Sequence, residues 1–475
     1  MWNFSLHEKN RLEKREKTDY NKTGFIWYSL VLQGFFMKIY SYIHIDKKSP
    51  LPIYQQLIRA LESFCRDSSA GTAIPSEREL SEQLSISRTI LRKALKECAK
   101  EGGNGPKFVL VLGCSTGYGL ASRISAAFEY EADTIGVSFE KEPTEKKGGT
   151  PGWYNNMAFD RAAKNAGLIS ETFNADAFSH ETRKLIIEEA KKLGRKFDLV
   201  VYSLASPVRS DPDKIDPNSA DGNHILYKSV LKPIGKTYSG YGIDILTDSL
   251  KESSAEPATE DEIANTVKVM GGEDWELWIN QLSEAGVLAE GCRTVAYSYI
   301  GPELSHAIYR DGSIGQAKKH LEATALNLNK KLSSELNGGA WVSVNKGLVT
   351  RSSAVIPIIS LYLSILFKVM KAKGNHEGCI EQMERLFAER LYTGENSAAG
   401  VVPVDSENLI RVDDWEMQDD IQAEVDKIMP TVTNENIKEL CDLDGYKHDF
   451  YATNGFDVEG VDYNIEIEDM TKIDF

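Results

Sequence analysis

Cysteine is scarce in this 475-residue chain, and what there is forms no pattern. Cys65, Cys98, Cys114, Cys292, Cys379 and Cys441 include no CxxC pair. That argues against a disulfide framework or a zinc site and fits reduced thiols in the cytoplasm. Long apolar runs are also missing near the start. The lipid-like stretch there, residues 24–36 (GFIWYSLVLQGFF), is 13 residues long, too short to span a bilayer, and no small-residue cleavage site follows it. It reads as a buried or partner-facing segment, so no membrane association is expected. No low-complexity tract occurs, and 41% hydrophobic with 27% charged residues is ordinary for a soluble globular protein. The length allows two domains, or one large α/β domain with an appendage.

Positive charge is in short supply overall, with a net charge of -16. Residues 1–100 hold 17 Lys and Arg against 11 Asp and Glu, a balance of +6. The remaining 375 residues hold 38 against 60, or -22, and the two sum to -16. A basic segment can meet a polyanion; an acidic body cannot. The chain is therefore read as an N-terminal extension (residues 1–36), a small basic domain (37–103) and a large acidic one (104–475). Met37 is an alternative start to Met1.

In the basic part, Ile53, Leu57, Leu61 and Phe64 recur at helical spacing. Gly71 and Pro75 interrupt, and a short helix follows Ser76 to about Leu84. Ser87 is a plausible N-cap for a third helix, residues 88–99. There Ile90, Leu91, Ala94, Leu95 and Cys98 share one face, while Arg88, Arg92 and Lys96 repeat every four residues on the other. On pattern alone this suits a helix for the DNA major groove or equally a solvated basic appendage. The segments PIYQQL (52–57), IPSEREL (74–80) and SRTILRKAL (87–95) resemble the three helices of a GntR-type winged-helix DNA-binding domain. The resemblance implies DNA contacts at Arg78, Arg88, Thr89 and Arg92. The family's wing is missing, because Glu101-Gly102-Gly103-Asn104 lead straight into a strand. DNA binding is therefore expected to be weak, salt-sensitive and non-specific.

The acidic part opens with Phe108-Val109-Leu110-Val111-Leu112, an apolar run typical of a parallel strand covered on both faces. It empties into Gly113-Cys114-Ser115-Thr116-Gly117-Tyr118-Gly119. Glycines between a strand and a helix let the backbone approach a pyrophosphate at the helix N-terminus. A second strand ends in Phe139-Glu140, 21 residues beyond Gly119. A carboxylate there accepts hydrogen bonds from ribose hydroxyls and repels a 2′-phosphate, which favours NADH, although a surface Glu at a strand end would look the same. Two further strand ends, Asp176-Ala177 and Leu204-Ala205, are placed as the adenine wall and as backbone passing under the ribose. The expected fold is α/β, a Rossmann-type doubly wound parallel sheet with extra helices, preceded by a small, mainly helical winged-helix-like domain.

A later strand leads to Tyr299, with Tyr309 ten residues on and Lys318 nine beyond that. Nine residues at about 100° each leave the last two half a turn out of phase on one helix. They converge only if Tyr309 lies on a loop and Lys318 in a helix that begins later. Arg310-Asp311-Gly312 is turn chemistry, Ser313 a plausible N-cap and residues 314–326 a helical run. A neutral tyrosine can donate to a developing oxyanion, and a nearby lysine should lower its pKa from about 10 and hold the nicotinamide ribose. An isolated tyrosine–lysine pair is more often structural.

This pair is not isolated. From residue 105 onward the chain resembles the trans-2-enoyl-CoA reductases, also described as FabV-type enoyl-ACP reductases. The resemblance is carried by GPK (105–107), the 113–123 loop, GVSFEK (136–141), GWYNN (152–156), DLVVYSLASPVR (198–209), VKVMGGEDW (267–275), AYSYIGP (296–302), KGLVTR (346–351) and NHEGCIEQ (375–382). It implies NADH-dependent reduction of the C2=C3 bond of trans-2-enoyl-CoA or enoyl-ACP in fatty-acid metabolism. It implies Tyr309 as proton donor, Lys318 as the lysine that contacts NADH and Tyr299 as the tyrosine that holds the substrate carbonyl. NADH would be bound by Gly113, Cys114, Ser115, Thr116, Gly117, Tyr118, Phe139, Glu140, Asp176, Ala177, Leu204, Ala205, Lys318, Leu348, Val349 and Thr350. Residues 356–367 (IPIISLYLSILF) would line an acyl pocket or form an ordinary core helix. The family's N-terminal segment is replaced here by the winged-helix sequence, as in a fusion. The alternatives are a DNA-binding regulator that uses the reductase fold as a sensor, or an inactive fusion.

Overall fold

The computed structural model describes residues 42–45, 53–66, 77–84, 86–87, 90–91, 94, 105–351, 353, 356, 359–393 and 402–465. The chain divides into two compact units, one within Met1–Asn104 and one built from Gly105–Thr393 and Ala398–Phe475.

The first unit holds α1 (Ile53–Arg66) and α2 (Glu77–Leu84). Their apolar faces close on Ile43, Leu57, Leu61, Phe64, Leu80, Ile86, Leu91 and Ala94, all buried, with Tyr42 edge-on to Phe64. Ser87 Oγ accepts from the Ile90 amide at 3.3 Å, which caps the helical turn carrying Leu91 and Ala94. Of the residues expected to touch DNA, Arg88, Thr89 and Arg92 lie outside the described residues. Arg78 sits on α2, but its side chain is likewise outside them. So do residues 1–36.

The second unit is built on a seven-stranded sheet. Its strands are β1 (Phe108–Leu112), β2 (Asp133–Ser138), β3 (Ser170–Asn174), β4 (Phe197–Tyr202), β9 (Leu288–Ser298), β10 (Gly339–Val344) and β11 (Leu409–Arg411), numbered in chain order with two hairpins between. The spatial order is β11-β10-β9-β4-β1-β2-β3 and every pairing is parallel. Strand β1 explains why the sheet must be covered twice. Phe108, Leu110 and Leu112 join one core cluster, whereas Val109 and Val111 join another on the opposite face, and all five are buried. At roughly 1.5–3 kcal/mol per buried apolar side chain, neither face can be left open to water. Because β2 and β4 flank β1, the winding reverses there, and a crevice opens beyond the carboxyl ends of β1 and β4. This is the Rossmann-type doubly wound sheet expected from the sequence.

Helix α3 (Gly117–Glu129) leaves β1, and α4 (Pro151–Asn165) and α5 (His180–Leu193) follow β2 and β3. Two antiparallel hairpins, β5–β6 (Val208–Ile215 with His224–Lys228) and β7–β8 (Tyr238–Asp244 with Ser249–Ala255), stand outside the main sheet. After α6 (Glu260–Met270), α7 (Glu273–Glu284) and the short α8 (Glu303–His306) comes α9 (Ser313–Leu336), longer than expected and without Ser313 as its cap. Gly312 is the N-cap, because Ser313 Oγ is committed elsewhere: it donates to the Val230 carbonyl at 2.6 Å and accepts from the Lys232 amide at 3.1 Å. A third core gathers around α10 (Ile359–Lys373), where eleven of fifteen residues are buried. Helix α11 (Cys379–Leu386) packs on the Val109 face, and α12 (Asp419–Ile428), α13 (Ile437–Leu440) and α14 (Leu443–Ala452) complete the α10 side. Among the described residues no helix is long and apolar enough to cross a membrane, and no group of three or more His, Cys, Asp or Glu could hold a metal ion.

Candidate active site

The strand–helix turn after β1 is shaped by its glycines. Gly113 has φ +87°, and a Cβ there would lie 2.2 Å from the Ser203 carbonyl oxygen. A Cβ on Gly119 would lie 1.9 Å from the Gly113 carbonyl oxygen. The amides of Gly113 and Cys114 are used up on the Val137 carbonyl, while Thr116 caps α3 with no side-chain bond. The first amides of α3 are thus free for an anion, with the helix dipole behind them. Leu204 touches the same turn, and Thr350 lies 3.6 Å from the Cβ position of Gly117. Leu348 and Val349 are buried beside it. Tyr118 donates to the Lys346 carbonyl at 2.6 Å. The turn brings the expected segment 113–118 together with Leu204 and Thr350.

Glu140 is more heavily engaged than the sequence suggested. Its carboxylate accepts from Ser115 Oγ at 2.6 Å and from Thr150 Oγ1, and pairs with Arg351 Nη1 at 3.1 Å. Its backbone is clamped to Asn174, the last residue of β3. Phe139 is 78% exposed, so a flat ring could lie against it. Asp176 accepts from the Phe178 amide, and Ala177 is held through its carbonyl by Trp278 Nε1 at 2.9 Å. Arg351 had no role in the sequence reading; the neighbouring Thr350 did, but nothing local says which acid an arginine will meet.

Tyr299 and Tyr309 meet just beyond the end of β9. Tyr299 and Tyr309 pack edge-to-face with ring centres 4.9 Å apart, Tyr309 in the turn before α9. Lys318 lies one and a half turns into α9 and reaches back to donate to the Tyr297 carbonyl at 2.9 Å. The loop-then-helix arrangement required by the nine-residue spacing is therefore present. The electrostatics differ from expectation. Burial, followed by the negative charge of Glu416, pushes the Tyr309 hydroxyl above its ordinary range, and no lysine offsets it. Burial instead brings Lys318 down to about 8, against a smaller opposing pull from Glu322. A tyrosine so placed stays neutral and keeps its proton to donate.

Beside Tyr309 a cleft is lined by Tyr238, Leu304, Ile308, Ile356, Ile359 and Tyr362. Ile356, Ile359 and Tyr362 belong to the apolar run expected to line the acyl pocket. Residues 357–358 lie outside the described residues. Tyr238 comes from the β7–β8 hairpin, which the sequence did not reveal. Behind the tyrosines stands Glu416, fully buried, which accepts from Tyr299 at 3.1 Å, Tyr362 at 2.7 Å and the Gly347 amide at 2.6 Å. One acid among 71 carries no local signal.

The family descriptions that match the chain are the trans-2-enoyl-CoA reductase catalytic region over residues 147–392 and its NAD(P)H binding domain over 86–145. The chain belongs to the trans-2-enoyl-CoA reductase family. A curated relative of that family, trans-2-enoyl-CoA reductase [NADH] from Treponema denticola, is 62% identical over 382 residues, covering 80% of this chain and 92% of its own. An enoyl-[acyl-carrier-protein] reductase [NADH] from Cytophaga hutchinsonii is 51% identical over 371 residues, 78% and 90% of the two chains. The crystal structure of the Treponema denticola trans-2-enoyl-CoA reductase in complex with NAD matches with TM-score 0.74 and 59% identity, covering 84% of this chain and 94% of that one. Residues 52–103 match the gntR family of bacterial regulatory proteins.

A further description, an enoyl reductase FAD binding domain, matches residues 404–467. The residues present do not fit that cofactor. This stretch holds 18 Asp and Glu against four Lys and Arg, and its glycines, Gly445, Gly455 and Gly460, fall in or after the last helix. Its strand β11 runs into Val412-Asp413-Asp414-Trp415-Glu416, with Asp413 and Glu416 buried, where a diphosphate would need free amides or cations.

Proposed function

We propose that the second unit reduces the C2=C3 bond of a trans-2-enoyl thioester, carried on CoA or acyl-carrier protein, with NADH. NADH would lie across the crevice, its diphosphate on residues 113–118, its adenosine against Phe139, Glu140, Asp176 and Ala177, and its nicotinamide end near Leu204, Ala205, Lys318 and residues 348–350. When bound, it supplies a hydride to C3 of the substrate. The π electrons then move onto the thioester oxygen, and the enolate collapses with a proton to C2, giving the saturated acyl thioester. Tyr309 meets the developing negative charge with its proton, Tyr299 holds the carbonyl, and Lys318 keeps a positive charge beside the ribose. The observation that carries the reading is Tyr309 lining the apolar cleft with Tyr299 packed edge-on against it, Tyr309 having no hydroxyl partner among the described residues. Purified full-length protein should oxidise NADH only when crotonyl-CoA is present, with one butyryl-CoA formed per NADH. No oxidation, or oxidation without butyryl-CoA, would overturn the reading.

We further propose the domain division 1–36, 37–103 and 104–475, a cytoplasmic setting, and weak DNA binding by residues 37–103. The gntR match and the small helical core support the last of these. The cytoplasmic setting is supported by Cys114, Cys292, Cys379 and Cys441, which are free thiols.

A further inference from the structure

A hydroxyl has one hydrogen to give, and that of Tyr299 points at Glu416. Tyr299 cannot donate it to a substrate carbonyl as well. The Glu416 carboxylate is assembled from four separate parts of the chain. It enters from the segment between β11 and α12, meets Tyr299 after β9, meets Gly347 after β10 and meets Tyr362 on α10. It is fully buried. The nearest lysine, Lys346, points its ammonium at the Gly347 carbonyl and the face of Phe367 rather than at the carboxylate. A buried carboxylate without a cation in contact is costly to keep charged.

Counting hydrogens shows what one added proton would do. Oε2 is fixed as an acceptor by the Gly347 amide. Tyr362 donates to Oε1 and itself accepts from Gln422 Nε2 at 3.1 Å, so it has no need to turn. A proton on Oε1 has one open acceptor, the Tyr299 oxygen. Protonation would therefore reverse a single hydrogen bond and release the Tyr299 hydrogen from the carboxylate, on the side where its ring meets Tyr309.

We propose that Glu416 is a positioning residue for the reductase reaction, whose protonation turns the Tyr299 hydroxyl from the carboxylate to the substrate carbonyl. This rests on the reading of Tyr299 given above. The thioester then binds together with one proton, which Glu416 takes from solution and returns when the product leaves. No atom of Glu416 enters the reaction. The groups that face it are Lys346, Asp413, Tyr299, Tyr362 and, further out, Tyr118 and Tyr309. Burial is the largest influence and raises the Glu416 pKa, and Asp413 adds to it, while Lys346, the Gly347 amide and Tyr362 oppose. The neutral form is thereby brought nearer the working range.

Glutamine at this position separates the idea from a purely structural role. Its oxygen must face the Gly347 amide, which leaves its NH2 facing the two tyrosine oxygens. Glu416→Gln thus holds Tyr299 permanently in the released state. The test is calorimetric titration of the full-length protein with crotonyl-CoA in the absence of NADH, in two buffers of different ionisation enthalpy. The wild type should take up a proton, approaching one per thioester bound as pH rises to about 9, and Glu416→Gln should take up none. In steady-state assays, KM for crotonyl-CoA should rise about ten-fold between about pH 6 and about pH 9 in the wild type and stay flat in Glu416→Gln, with kcat within about three-fold. Glu416→Leu should raise KM at every pH with NADH affinity kept. Binding without proton uptake, or a Glu416→Gln profile parallel to the wild type, overturns the proposal and assigns any pH limb to Lys318 or Lys346. A wild type that neither binds nor reduces crotonyl-CoA overturns the functional reading instead.

Discussion

Lys318 donates its ammonium to the carbonyl of Tyr297 across 2.9 Å, and so ties α9 to the strand that delivers Tyr299. The lysine is buried and held at about 8. Its charge is lost as pH rises through that value, whereas in the unfolded chain it persists to about 10.4. Between those limits the unfolded state binds more protons, so this group adds stability as pH rises and subtracts it below about pH 8. Lys318→Met should therefore raise the thermal midpoint at neutral pH, with the gain shrinking towards pH ~10, while NADH affinity falls at least ~10-fold. Calorimetry and a fluorescence titration check both halves. A lower midpoint with unchanged NADH affinity would mark Lys318 as a structural residue.

Tyr309→Phe should lower turnover by at least ~100-fold while NADH still binds, because the lost hydroxyl acts on the developing enolate. Single-turnover kinetics beside an NADH titration measure the two effects separately. Near-normal turnover would move the acid to Tyr299 or to water.

Cofactor choice should rest on Glu140 and Arg351 together, since the two are paired. In Glu140→Ala the repulsion of a 2′-phosphate disappears and Arg351 is left free to attract it, so the preference for NADH over NADPH should narrow. In Arg351→Ala the carboxylate loses its cation, and the preference should widen. Ratios of kcat/KM for the two cofactors decide it; movement of both variants in one direction would refute the pairing.

Gly119→Ala should abolish tight NADH binding without unfolding the sheet, since its Cβ would overlap the Gly113 carbonyl oxygen and displace the turn. A dissociation constant within ~3-fold of the wild type would show that the turn does not cradle the diphosphate.

For the N-terminal unit, duplex DNA should bind weakly, with steep salt dependence and little sequence preference. Titration of operator-like and random duplexes at two salt concentrations tests this. Nanomolar, sequence-selective binding would promote the regulator reading.

The parts of the molecule that were legible in the sequence are those governed by local rules. A wholly apolar strand, a glycine turn and an acidic strand end specify a doubly wound sheet because each answers to its immediate neighbours. The loop at Tyr309 followed from angular arithmetic, given that Tyr309 and Lys318 were to converge, and from the turn chemistry of Arg310-Asp311-Gly312. Ser313 misled because a serine that could cap a helix can also bond to Val230 and Lys232, and only the tertiary arrangement chooses. The rise in the Tyr309 pKa was missed for the same reason. Lys318 is near in sequence, but the larger causes are burial and then Glu416, 107 residues away. The hairpins gave little signal because strands such as β6 and β8 bury no residue fully and so need no apolar alternation in sequence.

Strand β11, three residues at the sheet's outer edge, is the last strand in chain order, and Glu416 follows it by only five residues. Until the ribosome has released that stretch, β10 presents an unpaired edge and the Gly347 amide has no carboxylate to receive it. A nascent chain holding every glycine of the cofactor turn and all three of Tyr299, Tyr309 and Lys318 would still be unfinished at its centre. Pairing of the sheet's edge strand and placement of the Glu416 carboxylate are thus coupled, so the Tyr299 hydroxyl gains its partner only once β11 is in register.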